Sequence, residues 1–299
     1  MVGSLLIPFI ALSTFAASYS LTPLKITPHV YCFFGKNEIP NKHNNGNISN
    51  SCFVILKNGV AVFDTGPTYL YAKEEVAQIR KITPKKIKYV INSHYHDDHI
   101  LGNSYYATLG VQIYGTKEIE YQYQNNTNTR MQQHITKESY KDTQLVLPTH
   151  YVTKSITLDN ELQVIPIPHP AHTKSDLIAF YPKEGVVFAG DIIFNDRLPS
   201  IRDGDIEGWL KAIDFILSLK LKYIIGGHGT KYDSKAYIFT KEYLQQLRKE
   251  IKKGIEEGIE LDEVTTKITL PQYKNMKLYK ELHRKNVFKA YQIYEWEEE

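Results

Sequence analysis

Residues 92–103 read NSHYHDDHILGN, with three histidines and two aspartates packed between His94 and His99. Such groups make poor core, because buried imidazoles and carboxylates need partners. Their order is not that of a solvated loop either. His94 and His96 are two positions apart. In an extended segment they point to one side, as two ligands of a single ion must. Asp98 and His99 follow where the backbone turns into a helix, so they offer a carboxylate and an imidazole to a neighbouring point. A catalytic zinc site takes about three protein ligands and keeps an open position. The cluster alone is short of two ligands.

The rest of the chain must supply them. His172 follows a predicted strand in HPAHTKSD, His228 ends another in GGHGT, and Asp191 ends the strand GVVFAGD. Strand ends on a rigid sheet can hold side chains toward a shared rim. Gly190, Gly226, Gly227 and Gly229 beside them allow close backbone approach. Asp97 is read as exposed or at the helix start, and His169, three residues before His172, as structural. His29, His43, His134, His150 and His283 carry no functional expectation. Arg197, just past Asp191, could bind an anionic substrate group or serve as a packing or surface arginine.

The elements that position these groups follow from period and punctuation. SCFVILKNGVAVFDTGP (51–67) is strand, turn, strand, with Asn58-Gly59 as the turn dipeptide. A helix from about Tyr71 carries Ala72, Val76 and Ile79 at helical spacing and stops before Pro84. KIKYVINSH is a strand ending in the cluster, and a helix begins near His99. Asp97 and Asp98 lie where acidic residues suit a helix N-terminus. VQIYGTK is another strand, and 118–150 is an excursion rich in Gln, Asn, Thr and Tyr. Strands return at LQVIPIPH, DLIAFYPKE and GVVFAGDII. DGDIEGWLKAIDFILSLK is a helix with an Asp N-cap and an apolar stripe of Ile206, Trp209, Leu210, Ile213 and Leu217. LKYIIGGHG is one more strand. KEYLQQLRKEIKKGIEEGIEL is amphipathic through Leu244, Leu247, Ile251 and Ile255, and the remainder reads as a docking helix and an acidic tail. Strands in two batches with helices interspersed predict two sheets face to face with helices on the outer faces.

Composition sets the bounds. A chain of 299 residues, 42% apolar and 23% charged, suits a sizeable core. A net charge of +3 with both signs interleaved carries no nucleic-acid footprint. LLIPFIALSTFAA, followed by SYS, is too short to span a bilayer comfortably. It fits a signal peptide over residues 1–20, cleaved after Ser18 or Ser20, although no Lys or Arg precedes it. The competing reading is an N-terminal strand or buried segment. Cys32 and Cys52 sit in the predicted strands HVYCFFG and SNSCFVIL. They are read either as a disulfide, which export would permit, or as two free buried thiols.

HYHDDH, HT at 172–173, AGD at 189–191 and GGHG at 226–229, with VAVFDTG as a further landmark, resemble the metallo-β-lactamase-fold hydrolase superfamily over roughly Thr27 to Asp233. HYHDDHILGN, AGDIIFNDRLPS and the GW helix look most like the zinc metallohydrolases associated with quinoprotein relay or sulfur-oxidation systems. The resemblance implies an α+β fold, a four-layer αββα sandwich over 21–233 with metals at one end of the sheets. Residues 234–299 would be a C-terminal helical extension packed on the same domain. It further implies an exported, periplasmic or secreted enzyme with a small-molecule substrate, no nucleic-acid partner, and no membrane span after signal cleavage. His94, His96 and His172 would hold one metal, and Asp98, His99 and His228 the other. Asp191 would bridge both, and Asp64, in FDTG, would orient the His-rich loop without ligating. The implied cofactors are two Zn2+ per chain.

The implied chemistry is hydrolysis. Water shared by two zinc ions loses a proton near neutral pH, its pKa falling from about 15.7 to about 7. The hydroxide then attacks an ester, thioester, lactam or phosphoester, with Asp98 orienting it. No G-x-S-x-G elbow suggests a serine nucleophile. The zinc β-lactamases resembling this layout place Cys where this chain has Asp191, and often Lys where it has Phe194, which leaves a weak β-lactamase as an alternative. The nitrogen and oxygen donors would also accept iron or manganese. A one-iron persulfide dioxygenase-like oxidoreductase using His94, His172 and Asp191 is a further reading, and a non-catalytic binding module another. Residues 36–50 are a candidate flap over the metals, and 118–150 a candidate second wall.

Overall fold

The hairpin at Asn58-Gly59 belongs to the first of two sheets. The computed structural model describes residues 18–124 and 128–295. The apolar run 5–17, read as part of an export signal, lies outside the described residues, as do the last four residues of the acidic tail. The first sheet runs in the order β1 (Leu24–Lys25), β2 (Val30–Phe33), β3 (Ser51–Ile55), β4 (Val60–Phe63), β5 (Ile87–Ile91), β6 (Gln112–Gly115) and β7 (His150–Tyr151). Pairing is antiparallel from β1 to β4 and parallel from β4 to β7. The second sheet holds β8 (Ile156–Leu158), β9 (Leu162–Pro166), β10 (Leu177–Tyr181), β11 (Val186–Phe194) and β12 (Tyr223–His228). It is antiparallel except for β11 and β12. Ten α-helices are described: α1 (Tyr69–Ile82), α2 (Asp97–Ile100), α3 (Asn103–Thr108), α4 (Lys117–Tyr123), α5 (Arg130–His134), α6 (Lys137–Tyr140), α7 (Ile206–Leu217), α8 (Ile238–Glu256), α9 (Leu261–Lys267) and α10 (Tyr279–Glu295).

Side-chain alternation makes the layers. Cys32, Val54 and Phe63 face inward from the first sheet and meet Leu177, Phe188 and Ile225 of the second. On the first sheet's other face, Phe53 and Val62 lie under Tyr71, Val76 and Ile79 of α1 and Tyr106 of α3. The second sheet's outer face puts Val187 and Ile224 under Trp209 and Ile213 of α7, Leu244 of α8 and Tyr291 of α10. The result is helix, sheet, sheet, helix, with a C-terminal helical region, as the α+β reading expected. Local signals hold the helices in place. Thr68 caps α1 by accepting from the Tyr71 amide at 3.0 Å, and Asp205 caps α7 by accepting from Gly208 at 2.6 Å. Among the described residues no helix is long and apolar enough to cross a membrane.

Two boundaries differ from the sequence reading. The helix expected near His99 begins at Asp97, lasts one turn, and restarts at Asn103. Gly102 lies between the two, its backbone pressed so closely on the Thr65 carbonyl that a β-carbon would collide with it. The strand read as GVVFAGDII, with Asp191 placed at its end, runs to Phe194, so Asp191 lies within it. Gly190, at φ +51°, breaks the ladder with β12, which resumes where Phe194 meets His228. Asp191 thus leaves the regular register at the rim.

Cys32 and Cys52 are register partners on β2 and β3 and form a disulfide, so the free-thiol alternative is set aside. The bridge spans 20 residues of sequence. A loop of that length is stabilised by about 3 kcal/mol in the chain-entropy picture. Replacing both cysteines by Ala should lower the unfolding free energy in urea by that order, and an unchanged denaturation midpoint would show that the bond does not form.

Under α1, Glu75 is buried beside Ser51 and Tyr106, whose hydroxyls donate to it at 2.7 and 2.6 Å. Burial raises its carboxyl from the ordinary 4.5 to about 8. The fold therefore keeps a proton that the unfolded chain releases. That contribution to stability is complete below about pH 4.5 and is lost as the pH rises through about 8. Glu75→Gln, neutral throughout, should flatten the decline of Tm between pH 5 and 8. A slope equal to that of the unaltered chain would mean that Glu75 is ionised in the fold.

Candidate metal centre

The rim of the sandwich collects the C-terminal ends of β4, β5 and β12, the irregular part of β11, and the loop between β9 and β10. This is the edge where open α/β sheets generally place ligands. Asp64 follows β4, and His94 to His99 follow β5. His172 lies between β9 and β10, Asp191 within β11, and His228 at the end of β12.

These side chains converge. One donor atom from each of His94, His96, His172 and Asp191 lies within 4.8 Å of the others, and the same holds for Asp98, His99 and His228. His96 Nδ1 is 2.8 Å from His94 Nε2 and 3.1 Å from His172 Nε2, which is 3.2 Å from Asp191 Oδ2. In the second group, Asp98 Oδ2 is 3.6 Å from His99 Nε2 and 3.5 Å from His228 Nε2. Asp191 reaches this group too, Oδ1 lying 3.2 Å from His99 Nε2 and Oδ2 3.3 Å from His228 Nε2.

The donors fit divalent cations. Ligands at 2.0–2.1 Å around a tetrahedral ion are about 3.3 Å apart, and the observed separations bracket that value. His99 Nε2 and Asp191 Oδ1 are buried with no hydrogen-bond partner. Burial of carboxylates such as Asp98 and Asp191 costs several kcal/mol each without compensating positive charge.

Each ring is held from behind. His99 Nδ1 meets Asp64 Oδ2 at 2.8 Å. His94 Nδ1 meets Ser93 Oγ at 2.8 Å, and that hydroxyl donates to Asp64 Oδ2 at 2.8 Å. His96 Nε2 meets Asp203 Oδ2 at 3.0 Å, and His228 Nδ1 meets the Ile48 carbonyl at 2.6 Å. The Asp64 carboxylate and the Ile48 carbonyl can only accept, so His99 and His228 carry a proton on the nitrogens that face them, whereas His96 Nε2 meets the Arg202 guanidinium at 2.9 Å as well as Asp203. His172 differs. Its Nδ1 has no partner, and the ring is held edge-on by Trp209 with centroids 4.9 Å apart.

Electrostatics agree with ligand chemistry. Burial, aided by neighbouring imidazoles, holds His94 well below the ordinary histidine value, and burial takes His96 down to about 4. Both rings are neutral near pH 7, the state a ligand needs. Burial opposes charge on His99, but Asp191, Asp98 and Asp64 together raise it well above its ordinary value. The carboxylates thus draw a proton where a cation would serve.

The expectation that Asp97 is exposed or at the helix start is corrected in its first half. Asp97 is the first residue of α2 and is buried, because Arg130 pairs with it at 2.5 Å and the Met131 amide donates to it at 3.1 Å. Arg130 also grips Asp98 Oδ1 at 2.5 Å. His169 takes no part in either donor group. Arg197 is buried, its guanidinium 3.3 Å from His228 Nδ1. The 36–50 loop does more than cover. Besides the Ile48 carbonyl, Ser49 Oγ donates to the Asp98 carbonyl at 2.6 Å, and Asn50 Nδ2 donates to the Gly226 and Gly229 carbonyls at 2.9 and 2.8 Å. Sequence reasoning missed Arg130, Asp203 and Ser93. Asp203 had a faint signal, an acid in a glycine turn just ahead of a capped helix. Arg130 had none, lying in a segment without period.

Known proteins resemble this chain in sequence and fold. A metallo-β-lactamase type 2 of Elizabethkingia meningoseptica is 22% identical over 209 residues, 68% of this chain and 78% of its own. Another, of Pseudomonas aeruginosa, is 24% identical over 170 residues, 56% of this chain and 63% of its own, so the chain spans less than two thirds of that relative. Among solved structures, the metallo-β-lactamase from Pontibacter korlensis superposes with a TM-score of 0.60 at 19% identity, covering 75% of this chain and 99% of that one. FIM-1 from Pseudomonas aeruginosa, in its mono-zinc form, gives 0.61 at 18% identity over 77% and 96%. These structures share the fold. The sequence profile of the metallo-β-lactamase superfamily matches residues 45–228, a span that contains every donor named above, and the chain belongs to that superfamily.

Proposed function

We propose that the chain is an exported hydrolase that holds two zinc ions and cleaves an ester, thioester, lactam or phosphoester. Superfamily membership and the two buried donor groups support the coarser statement, a metal-dependent hydrolase that binds divalent metal. The two-ion reading is carried by Asp191, whose Oδ1 faces His99 while Oδ2 faces His172. His94, His96 and His172 would hold one ion, Asp98, His99 and His228 the other, with Asp191 between. Iron or manganese would suit the same donors. A one-iron oxidoreductase needs only His94, His172 and Asp191, and the complete second donor set speaks against it.

Bound there, divalent ions supply Lewis acidity toward a substrate oxygen and acidify water at neutral pH. The chain's own residues supply placement and proton handling. Asp98, fixed through Oδ1 by Arg130, would present Oδ2 to the attacking water and accept its hydrogen bond. Asp64 would keep His94 and His99 turned inward, one through Ser93 and one directly. β-Lactam hydrolysis, the activity in the relatives' names, is the weaker reading. Phe194 stacks on His228 with ring centroids 4.9 Å apart and offers no cation to a lactam carboxylate at that point. The runs HYHDDHILGN and AGDIIFNDRLPS favour the zinc metallohydrolases associated with quinoprotein relay or sulfur oxidation as the nearer relatives.

Export is supported by the disulfide, a bond typical of oxidising compartments. Tyr19 narrows the cleavage position. Its hydroxyl donates to the Asn45 carbonyl at 2.8 Å, its ring packs edge-on against Tyr71, and its amide donates to Glu74 at 2.9 Å. Cleavage after Ser20 would discard these contacts, whereas cleavage after Ser18 keeps them.

Protein purified without added metal should contain two zinc ions per chain by mass spectrometry. His96→Ala should lose metal and hydrolysis together. Turnover persisting in that variant without bound metal would refute the mechanism. N-terminal sequencing of exported protein should begin at Tyr19, and a start at Leu21 would show that the Tyr19 contacts are dispensable.

A further inference from the structure

Beside the donors a second and larger cavity opens. The space at the metal centre is about 40 Å³ and is bounded partly by His96, Asp98, Asp191 and His228. Ile48, Arg130, Arg197, Ser200 and Arg202 line both this space and an adjoining cleft of about 410 Å³. A cleft of that size suits a small molecule. Its lining also includes the segment Glu38–Pro40 and α10, through Leu282, Lys285, Phe288 and Lys289. The α10 wall lies outside the 45–228 span that defines family membership.

Its charges are unbalanced. Arg130 is taken by Asp97 and Asp98, and Arg202 by Asp203. Glu38 is occupied by the side-chain amides of Asn41 and Asn44 at 3.2 and 3.0 Å. Among the described residues, Arg197, Lys285 and Lys289 have no ion-pair partner in this cleft. Arg197 is only 7% exposed. Its Nη1 contact with His228 Nδ1 sets donor against donor, because that nitrogen already gives its proton to the Ile48 carbonyl. Arg197 Nε reaches only the Leu198 carbonyl, at 3.4 Å, and the guanidinium lies over the Phe194 ring at 5.7 Å, so its buried charge is met by no carboxylate in ion-pair contact among the described residues. Lys285 and Lys289 are one turn apart on α10, where like charges repel. An anion in the cleft would relieve both.

The cleft is also apolar. Ile39 and Phe288 are among the large hydrophobic side chains most exposed to solvent, at 51% and 41%, and both line the cleft. Exposed apolar groups gathered at one concavity mark a binding surface. The α10 wall is fixed to the rim. Asn286 Nδ2 donates to the Pro199 carbonyl at 2.8 Å, its Oδ1 accepts from the Ile201 amide at 3.2 Å, and the Leu198 amide donates to the Lys277 carbonyl at 3.0 Å.

We propose that α10 makes this cleft a recognition site for substrates with an apolar body and a terminal acidic group, the acid bound by Arg197, Lys285 and Lys289 and the scissile bond lying toward Asp191. The proposal rests on the hydrolase reading above for the orientation of that substrate. Carboxylate and phosphate would satisfy the same cations.

The test uses metal-loaded full-length protein and two chromogenic esters of one length, 4-nitrophenyl hydrogen suberate and its methyl-capped counterpart. The acidic ester should be preferred in kcat/KM by about tenfold or more. In Lys285→Glu/Lys289→Glu that preference should collapse, and Lys285→Gln/Lys289→Gln should lose part of it. Calorimetric titration with suberate and with octyl phosphate gives a readout independent of turnover. At least one should bind, about tenfold more weakly in the charge-reversed variant, and the tighter one identifies carboxylate or phosphate as the preferred acid. Equal hydrolysis of both esters, with unaltered affinities in the variant, would overturn the cleft proposal and leave the hydrolase standing. Binding that is lost on charge reversal, with neither ester hydrolysed, would support the cleft and count against the hydrolase. Neither binding nor turnover would overturn both.

Discussion

His99 Nε2 and Asp191 Oδ1 face each other across 3.2 Å inside the protein, and neither has a hydrogen bond. Two such atoms repel unless a cation or a proton lies between them. The same tension repeats across the rim, where the rings of His94 and His228 also turn unprotonated nitrogens inward. The surrounding structure can be understood as what prevents these groups from turning away. Asp64, Asp203 and the Ile48 carbonyl each hold the far side of a ring, and Arg130 holds the far side of Asp98. Rotating the ring of His94, His99 or His228 to relieve the repulsion would sacrifice a buried hydrogen bond, typically worth about 1 kcal/mol and more when one partner is charged.

That arrangement demands unusual backbone. Asp64 sits at φ +59°, a left-handed conformation costing roughly 1–2 kcal/mol for a residue with a side chain. Its carboxylate offsets the cost by accepting from the Ser93 amide at 2.7 Å, from the Ser93 hydroxyl and from His99. Gly190 solves a neighbouring problem. It too is left-handed, and a β-carbon there would lie 2.6 Å from Ser93 Cβ, in the residue that relays Asp64 to His94. Both left-handed positions thus serve the same relay from Asp64 through Ser93 to His94.

Different parts of this molecule were legible in the sequence for different physical reasons. The strands and α1 were visible because their burial follows simple periods, and the Asn58-Gly59 turn because its dipeptide is chemically constrained. The clustered histidines were visible because two imidazoles two residues apart imply a common ion. Their distant partners emerged from strand ends and small neighbours, then from the family resemblance. Arg130 was not legible, because its segment has no period and its role depends on where Asp97 and Asp98 come to lie. For the same reason Asp97 was half misread, since its burial depends on an arginine 33 residues further along the chain. The register shifts on either side of Gly190 were not legible, because they depend on how β11 meets β12, which local propensity does not carry. The α10 wall was legible only as a docking helix, since the surface it would meet is set by tertiary packing.

Every donor lies between His94 and His228, whereas α10 spans Tyr279–Glu295. A ribosome therefore completes the candidate donor residues well before it makes one side of the neighbouring cleft. The order of synthesis separates two features that the folded molecule joins: the donor cluster is encoded first, and the face of α10 that adjoins it emerges later.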